Sequence, residues 1–297
     1  MGIDIPDDLI EEINRKNCVA FVGAGLSRGA GLPGWGGLME DMLDWATGHG
    51  VTLTPEAKDE LKSLLDSGKY LLVAQEMRER MGNNDFREFM DATFRKPGLK
   101  PTKAHEILVQ IPFASAITTN YDVLLESAYT VQKGIMPLTF THTNNAQLAA
   151  ALGEGSFYIF KAHGTIDDIE TVILGRRDYQ ELLHNSAYRR HLETVFMTKA
   201  VLFLGYSLTD HDLMIMLDEL SAIFRGYGVR RYALMEASGV SGIERERFRR
   251  DYNINIIPYE SPGRDHREVS EFLAELLDRS KKPESLSSMQ EVYEGDR

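Results

Sequence analysis

Residues 18–35, Cys-Val-Ala-Phe-Val-Gly-Ala-Gly-Leu-Ser-Arg-Gly-Ala-Gly-Leu-Pro-Gly-Trp, place the strongest constraint on how this chain folds. The apolar run from Cys18 to Val22 reads as a buried strand, and a glycine-rich turn ends it. Glycines at 23 and 25 let the backbone turn sharply, and they let phosphate groups approach main-chain N–H groups with no Cβ in the way. A strand that breaks into such a turn ahead of a helix is the opening of a nucleotide-binding βαβ unit. The spacing departs from G-x-G-x-x-G, because the third glycine falls at Arg28 and the next glycines are Gly29 and Gly31. With Pro33 beyond them, the turn is expected to run on as a loop until a helix starts near Gly36.

The rest of the chain repeats the strand-then-helix rhythm. Pro6–Lys16 has Leu9, Ile10 and Ile13 on one face and reads as a short helix before the first strand. Residues 36–94 turn helical, with Thr54-Pro55-Glu56 as a helix start and leucines at helical spacing, and 96–101 is a loop by composition. Residues 36–100 are therefore expected to form a helical insertion lying as a lid over the glycine loop. Then follow helix 102–111, strand 113–118, helix 121–130, helix 145–152 stopped by Gly153, and strand 156–161. After a helical stretch over 165–198 come strand 200–205, helix 210–224, strand 230–235, helix 241–250, strand 254–258 and helix 266–280. Strands alternating with helices of this length predict an α/β fold: a Rossmann-like doubly wound parallel sheet with both faces covered. Residues 1–280 form that domain, and the polar tail 281–297 is expected to be disordered.

Four segments lie just after apolar strands: Gly23–Ser27, Asn120–Asp122, His163-Gly164 and Gly205–Ser207. In an open parallel sheet ligands bind beyond the carboxyl ends of the strands, so all four are expected at one edge. Plain readings stay open for each. A glycine turn can be only a turn, Asn-x-Asp can cap the helix that follows, and Trp35 can be core.

Composition narrows the function classes. The net charge of −12 over 297 residues opposes intrinsic nucleic-acid binding, which needs a basic face. No apolar run approaches membrane-spanning length, and the N-terminus lacks a secretory or myristoylation signal, so the expected location is cytoplasmic. The single cysteine, Cys18, excludes an intrachain disulfide and a four-cysteine metal site, and its strand position reads as core packing. His184 and His191 lie seven apart with no carboxylate pattern beside them, which makes a metal site a poor reading. His211 is read in the first turn of a helix between two acidic residues.

The pattern G-A-G-x-S followed by G-x-P-x-W resembles the opening motif of the sirtuin family. Thr118-Thr119-Asn120-Tyr121-Asp122 is similar to that family's T-Q-N-x-D, His163-Gly164 to its His-Gly, and Gly205-Tyr206-Ser207 to its later glycine-x-serine turn. The departure is the zinc module: residues 165–204 hold no cysteine. The resemblance is therefore to the zinc-free prokaryotic branch of NAD hydrolases, which serve as anti-phage effectors. It implies NAD as substrate, cleavage of the nicotinamide–ribose bond to nicotinamide and ADP-ribose, and no metal. An oxocarbenium-like transition state calls for a held leaving group, exclusion of water and a positioned nucleophile. On this reading Gly23, Ala24 and Gly25 hold the pyrophosphate through backbone N–H groups, with Ser27 and Ser207 adding hydroxyls. Asn120 fixes a water or ribose hydroxyl, and Asp122 accepts from the nicotinamide carboxamide. His163 is the general base, and Trp35 shields the nicotinamide end. Glu236 takes an adenosine ribose or is a solvated loop residue. No chemical role is assigned to the remaining histidines.

Constitutive NAD hydrolysis would kill the host cell, and no part of the chain reads as a sensor. Control is therefore expected from self-assembly, with the family offering a HerA-type hexameric ATPase as partner. Leu182, Leu183, Leu192, Val195 and Phe196 are the candidate assembly surface, or else a small second core. Competing readings are an NAD-dependent protein deacylase and a non-catalytic sensor of NAD or an NAD-derived signal.

Overall fold

The run Cys18–Val22 is strand β1, buried along its whole length at the middle of a seven-stranded sheet. The computed structural model describes residues 3–206, 208, 214, 217, 218, 228–262 and 266–281. The other strands are β2 Ser115–Thr118, β3 Leu138–Thr141, β4 Tyr158–Lys161, β5 Ala200–Leu204, β6 Arg231–Glu236 and β7 Ile254–Tyr259. Their order is β3-β4-β2-β1-β5-β6-β7, and every pairing is parallel. From β1 the chain adds β2, then the edge strand β3, and returns to insert β4 between them on one side, and then builds outward through β5, β6 and β7 on the other. Strand order thus reverses between β1 and β5, the place where such sheets open a crevice.

Alternation along β1 distributes its side chains between two cores. Cys18, Ala20 and Val22 face one cluster with Leu9 and Ile13, Ile107 and Leu108, and Phe272 and Leu276. These come from helices α1 Asp7–Asn14, Lys103–Leu108 and Arg267–Lys281. Val19 and Phe21 face the other cluster with Tyr188, Leu192, Val195 and Phe196 of helix Ser186–Thr198. The doubly wound parallel sheet read from the sequence is the fold.

Several boundaries differ from expectation. The glycine turn does not run on as a loop: it coils at once into one helical turn, α2 Ala24–Ser27, and a 3-10 turn Arg28–Ala30. Helix α3 then starts at Trp35 and runs to Gly48. The helix expected at 121–130 starts later, at Leu124, because Asn120–Asp122 stays in the loop that carries the site. The helix Asn145–Glu154 passes Gly153 and ends at Gly155, which takes the left-handed conformation at φ 67°. Strand β3 is missing from the sequence reading. It is a four-residue edge strand behind Pro137 with only Thr141 buried, so it shows no strong apolar period.

Helices α3, α4 Pro55–Asp66 and α5 Tyr70–Phe94 share a third core, built on Met39, Met42, Met77, Phe86 and Phe89. Tyr121 from the loop after β2 and Leu124 from the start of the helix that follows join it. The proposed assembly surface does not hold: Leu182, Leu192, Val195 and Phe196 are buried within the chain's own second core and Leu183 is half-buried, so the surplus apolar residues cover the sheet. Ser207, His211, most of helix 210–224 and the tail after Lys281 lie outside the described residues. Among the described residues no helix is long and apolar enough to cross a membrane.

Candidate active site

Sheet register places the four glycine, asparagine and histidine motifs on one line. Val22 pairs with Thr118 and with Leu204, and Thr118 pairs with Lys161. One or two residues beyond that line stand Gly23, Asn120, His163 and Gly205. Strands β5, β1, β2 and β4 are consecutive, so the motifs span roughly 14 Å at about 4.8 Å per strand. Above them opens a cavity of about 620 Å³ whose floor includes Ala24, Gly25, Ser27, Asn120, Asp122 and His163. Its roof comes from the α3–α5 helices through Trp35, Leu38, Tyr70, Leu71 and Phe94. Trp35 stands at the first turn of α3, half-buried on the wall.

Asn120 is anchored from three sides. Its backbone N–H donates to Thr118 Oγ1 at 3.0 Å, and its Nδ2 donates to Gly23 O and to Ser27 Oγ, each at 3.2 Å. Its Oδ1 is buried and has no hydrogen-bond partner among the described residues. A buried carbonyl oxygen left bare costs about 1–3 kcal/mol unless something else donates to it. Asp122 is 4% exposed, and its Oδ1 accepts from the Leu124 N–H at 3.0 Å, which starts helix α7 Leu124–Lys133. It both begins the helix and lines the cavity. Lys161, fully buried, donates to the Asp122 carbonyl and pairs with Glu126 at 3.1 Å. This pair underpins the loop that carries Asn120.

His163 is 2% exposed, and its backbone oxygen accepts from the Ile173 N–H at 3.0 Å. Its ring meets Tyr179 edge-on with centroids 5.1 Å apart, and Nδ1 lies 3.4 Å from the tyrosine hydroxyl. Tyr179 comes from α9 Arg176–His184, inside the segment read as helices in place of a zinc module. Gly164 follows at φ 84°, where a Cβ would meet the Thr171 oxygen at 2.0 Å. Glycine is required there to fold 165–171 back under the histidine.

The glycines near Gly23 act differently from the sequence reading. The Gly23 N–H donates to Leu204 O and the Gly25 N–H to Gly205 O, both at 2.9 Å, so neither is left to hold a pyrophosphate. A Cβ on Gly23 or Gly25 would meet Gly205 O at 2.6 and 2.8 Å. Close approach of the β1 and β5 loops to each other is what requires these glycines. Gly25, Ala24 and Gly205 line the cavity, and Gly23 does not. Glu236 ends β6 away from the cavity wall, where its backbone caps the turn Ala237–Gly239.

Two residues escaped the sequence reading. Lys161 had a visible signal, a lysine closing the apolar strand Tyr158-Ile-Phe-Lys. Tyr179 had none, since no spacing ties a tyrosine on a surface-like helix to His163. Arg28, which displaces the third glycine, is exposed and also lines the cavity.

Residues 114–257, which span β2 to β7 and the loops bearing Asn120, Asp122 and His163, match the family described as the SIR2-like domain. Over these residues the chain is similar to the SIR2-like domain. The protein named NAD(+) hydrolase ThsA from Bacillus cereus (strain MSX-D12) is 28% identical over 230 residues, covering 77% of this chain and 45% of that protein. Its namesake from Enterococcus faecium is 28% identical over 236 residues, 76% of this chain and 44% of that protein. Defense-associated sirtuin 2 of Bacillus subtilis is 26% identical over 216 residues, 71% of this chain and 20% of that protein. The chain thus spans less than half the length of these curated relatives. Among solved structures it is similar to a Sir2 homolog–NAD complex, at 14% identity and TM-score 0.47, covering 94% of this chain and 95% of that one.

Proposed function

We propose that this chain hydrolyses NAD at the nicotinamide–ribose bond. The observation that carries the reading is the buried Asn120 Oδ1, without a partner among the described residues, in a cavity at the strand-order switch that His163 also lines. Relatives named NAD(+) hydrolase support it. In the reaction the C1′–N bond breaks with its electron pair leaving on nicotinamide, and a water oxygen bonds C1′. One water proton is released and ADP-ribose results. Asn120 Oδ1 is suited to accept from that water or from a ribose hydroxyl, fixing its oxygen toward C1′. His163 receives the proton, with Tyr179 packed against its ring. The aromatic and aliphatic roof excludes bulk water from the cationic transition state.

We further propose that the activity serves cytoplasmic anti-phage defence by emptying the NAD pool. Its working form is a homo-oligomer under a controlling partner of the HerA-type hexameric ATPase class. The support is indirect: the relatives' names, and the lethality of unregulated NAD loss. The test is incubation of the purified chain with NAD, following nicotinamide and ADP-ribose, with Asn120→Ala and His163→Ala alongside. Each variant is expected to lose roughly 100-fold or more in turnover, in line with general-base and positioning contributions. Unchanged turnover in both variants overturns the site assignment, and turnover that disappears with chelator and returns with zinc overturns the metal-free reaction. Acetate release from acetyl-lysine peptides moves the chain to the deacylases. Light scattering reads the oligomer, and a fully active monomer near 33.5 kDa removes the proposed control.

A further inference from the structure

Resting on the reading above, we propose that His105, which stands behind the cavity floor, is a positioning residue. Through Ser27 it orients Asn120, so that a serine O–H and an amide oxygen face the substrate together. The argument is one of donors and acceptors. Gly23 O can only accept, so the atom of the Asn120 amide facing it at 3.2 Å is the nitrogen. The second N–H goes to Ser27 Oγ, and Oδ1 is left as a fixed acceptor. His105 is fully buried in helix α6, Lys103–Leu108. The Thr102 N–H points at its Nδ1 at 3.2 Å, and the Thr102 hydroxyl, which accepts from the His105 backbone N–H, lies 2.7 Å from the same nitrogen and is able to donate to it, so Nδ1 is assigned as the acceptor. The hydrogen therefore sits on Nε2, which faces Ser27 Oγ at 3.4 Å and donates to it.

Ser27 Oγ thus accepts twice, once from His105 and once from Asn120, which fills both of its lone pairs. Its own hydrogen has no acceptor in this network. Ser27 is 2% exposed and lines the cavity, so that hydrogen is directed to the ligand. A donor and an acceptor side by side fit an O–H group, whether the attacking water or a ribose hydroxyl. The group accepts from Ser27 and donates to Asn120. Burial pushes the His105 imidazole down to about 4, with the Asp122 charge opposing, so the neutral tautomer that this pattern needs persists across the physiological range.

The test uses His105→Leu, His105→Gln, Ser27→Ala and the Ser27→Ala/His105→Leu double variant of the full chain, each with a melting curve. Losing the Nε2 donor is expected to lower kcat for NAD roughly 10- to 100-fold in His105→Leu, with KM moving much less. Glutamine can accept from Thr102 and donate to Ser27, and His105→Gln is expected to recover most of that loss. In the Ser27→Ala background, His105→Leu is expected to add less than about twofold, because the pathway is already cut. Additive losses, or wild-type rates in a folded His105→Leu, overturn the inference. So does a His105→Gln no better than His105→Leu. Nitrogen-15 NMR of the His105 ring is independent of any turnover and of whether His105→Leu folds. An Nε2–H tautomer supports the inference even if NAD proves not to be the substrate. An Nδ1–H tautomer or an imidazolium near neutral pH overturns it even if NAD is hydrolysed.

Discussion

Replacing Lys161 by methionine removes the only formal positive charge facing Glu126 among the described residues while keeping the volume of the side chain. Lys161 is 0% exposed and the Glu126 side chain 15% exposed, so the carboxylate is left largely desolvated with nothing to balance it. Breaking a buried pair from one side costs about 3–5 kcal/mol. The Asp122 carbonyl also loses its donor, which adds about 1 kcal/mol. The partial exposure of Glu126 lets water recover some of this, so about 3 kcal/mol is expected. For a chain of this size that corresponds to a melting temperature lower by roughly 5 °C. The double variant Glu126→Leu/Lys161→Met removes both charges, and it is expected to regain most of the loss. Urea unfolding of the wild type, the single variant and the double variant measures all three. Equal stability of single and double variants refutes the uncompensated-charge argument, and a single variant as stable as wild type refutes the role of the pair altogether.

Gly205→Ala is expected to destabilise by about 2 kcal/mol or more and to lower turnover, since an alanine at φ 62° is strained and its Cβ would lie 2.3 Å from the Leu26 nitrogen. The control Gly153→Ala lies inside a helix with open space around it and is expected to stabilise by about 0.5–1 kcal/mol; thermal melts giving both the same sign contradict the close-approach argument. Burial pushes the His191 imidazole down to about 4, so between there and its ordinary value near 6.5 the unfolded chain binds the extra proton. Stability is therefore full above about pH 6.5 and is lost as pH falls, by up to about 1.4 kcal/mol per unit. His191→Phe is expected to lose less on going from about pH 7 to about pH 5; parallel urea midpoints for the two proteins would count against this.

The most legible parts of the fold are those buried on both faces, and the partly buried edge strand β7 was legible as well through its isoleucines. Strands β1 and β5 are continuous apolar runs, and β2 and β4 are buried at every residue with apolar centres, because helices cover them from either side, and such runs stand out in a sequence. Strand β3 pairs on one side only and leaves Leu138 half exposed, so its residues carry no such mark. The candidate site was legible for the same reason, since residues immediately after buried strands must collect at one edge. The tasks of individual groups were not. Whether a glycine N–H serves a ligand or a neighbouring loop depends on what the loop after β5 does, some 180 residues later in the chain. His105 shows the same limit, since it meets Ser27 only once Lys103–Leu108 has packed beneath α2.

What these contacts share is the rigidity they give to one loop. Residues 119–122 are held from below by Lys161 on the Asp122 carbonyl and from within by Asn120 on Gly23 and Ser27. From above, Tyr121 packs edge-on against Phe94 of α5 with centroids 5.7 Å apart, and its hydroxyl donates to Ile173 O at 2.6 Å. Ile173 in turn donates its N–H to the His163 carbonyl. Tyr121, the residue after Asn120, therefore ties the β2 loop to the roof helices and, through Ile173, to the strand end that bears His163. An acceptor fixed in this way need not reorganise when charge develops at a nearby carbon, and that is the condition under which a single amide oxygen is worth several kcal/mol in a transition state. The roof is consequently part of the floor's stiffness: if the chain hydrolyses NAD as proposed, Phe94→Ala is expected to lower kcat through Asn120 even though Phe94 supplies no polar atom to the reaction, and an unchanged kcat in the folded variant refutes this coupling.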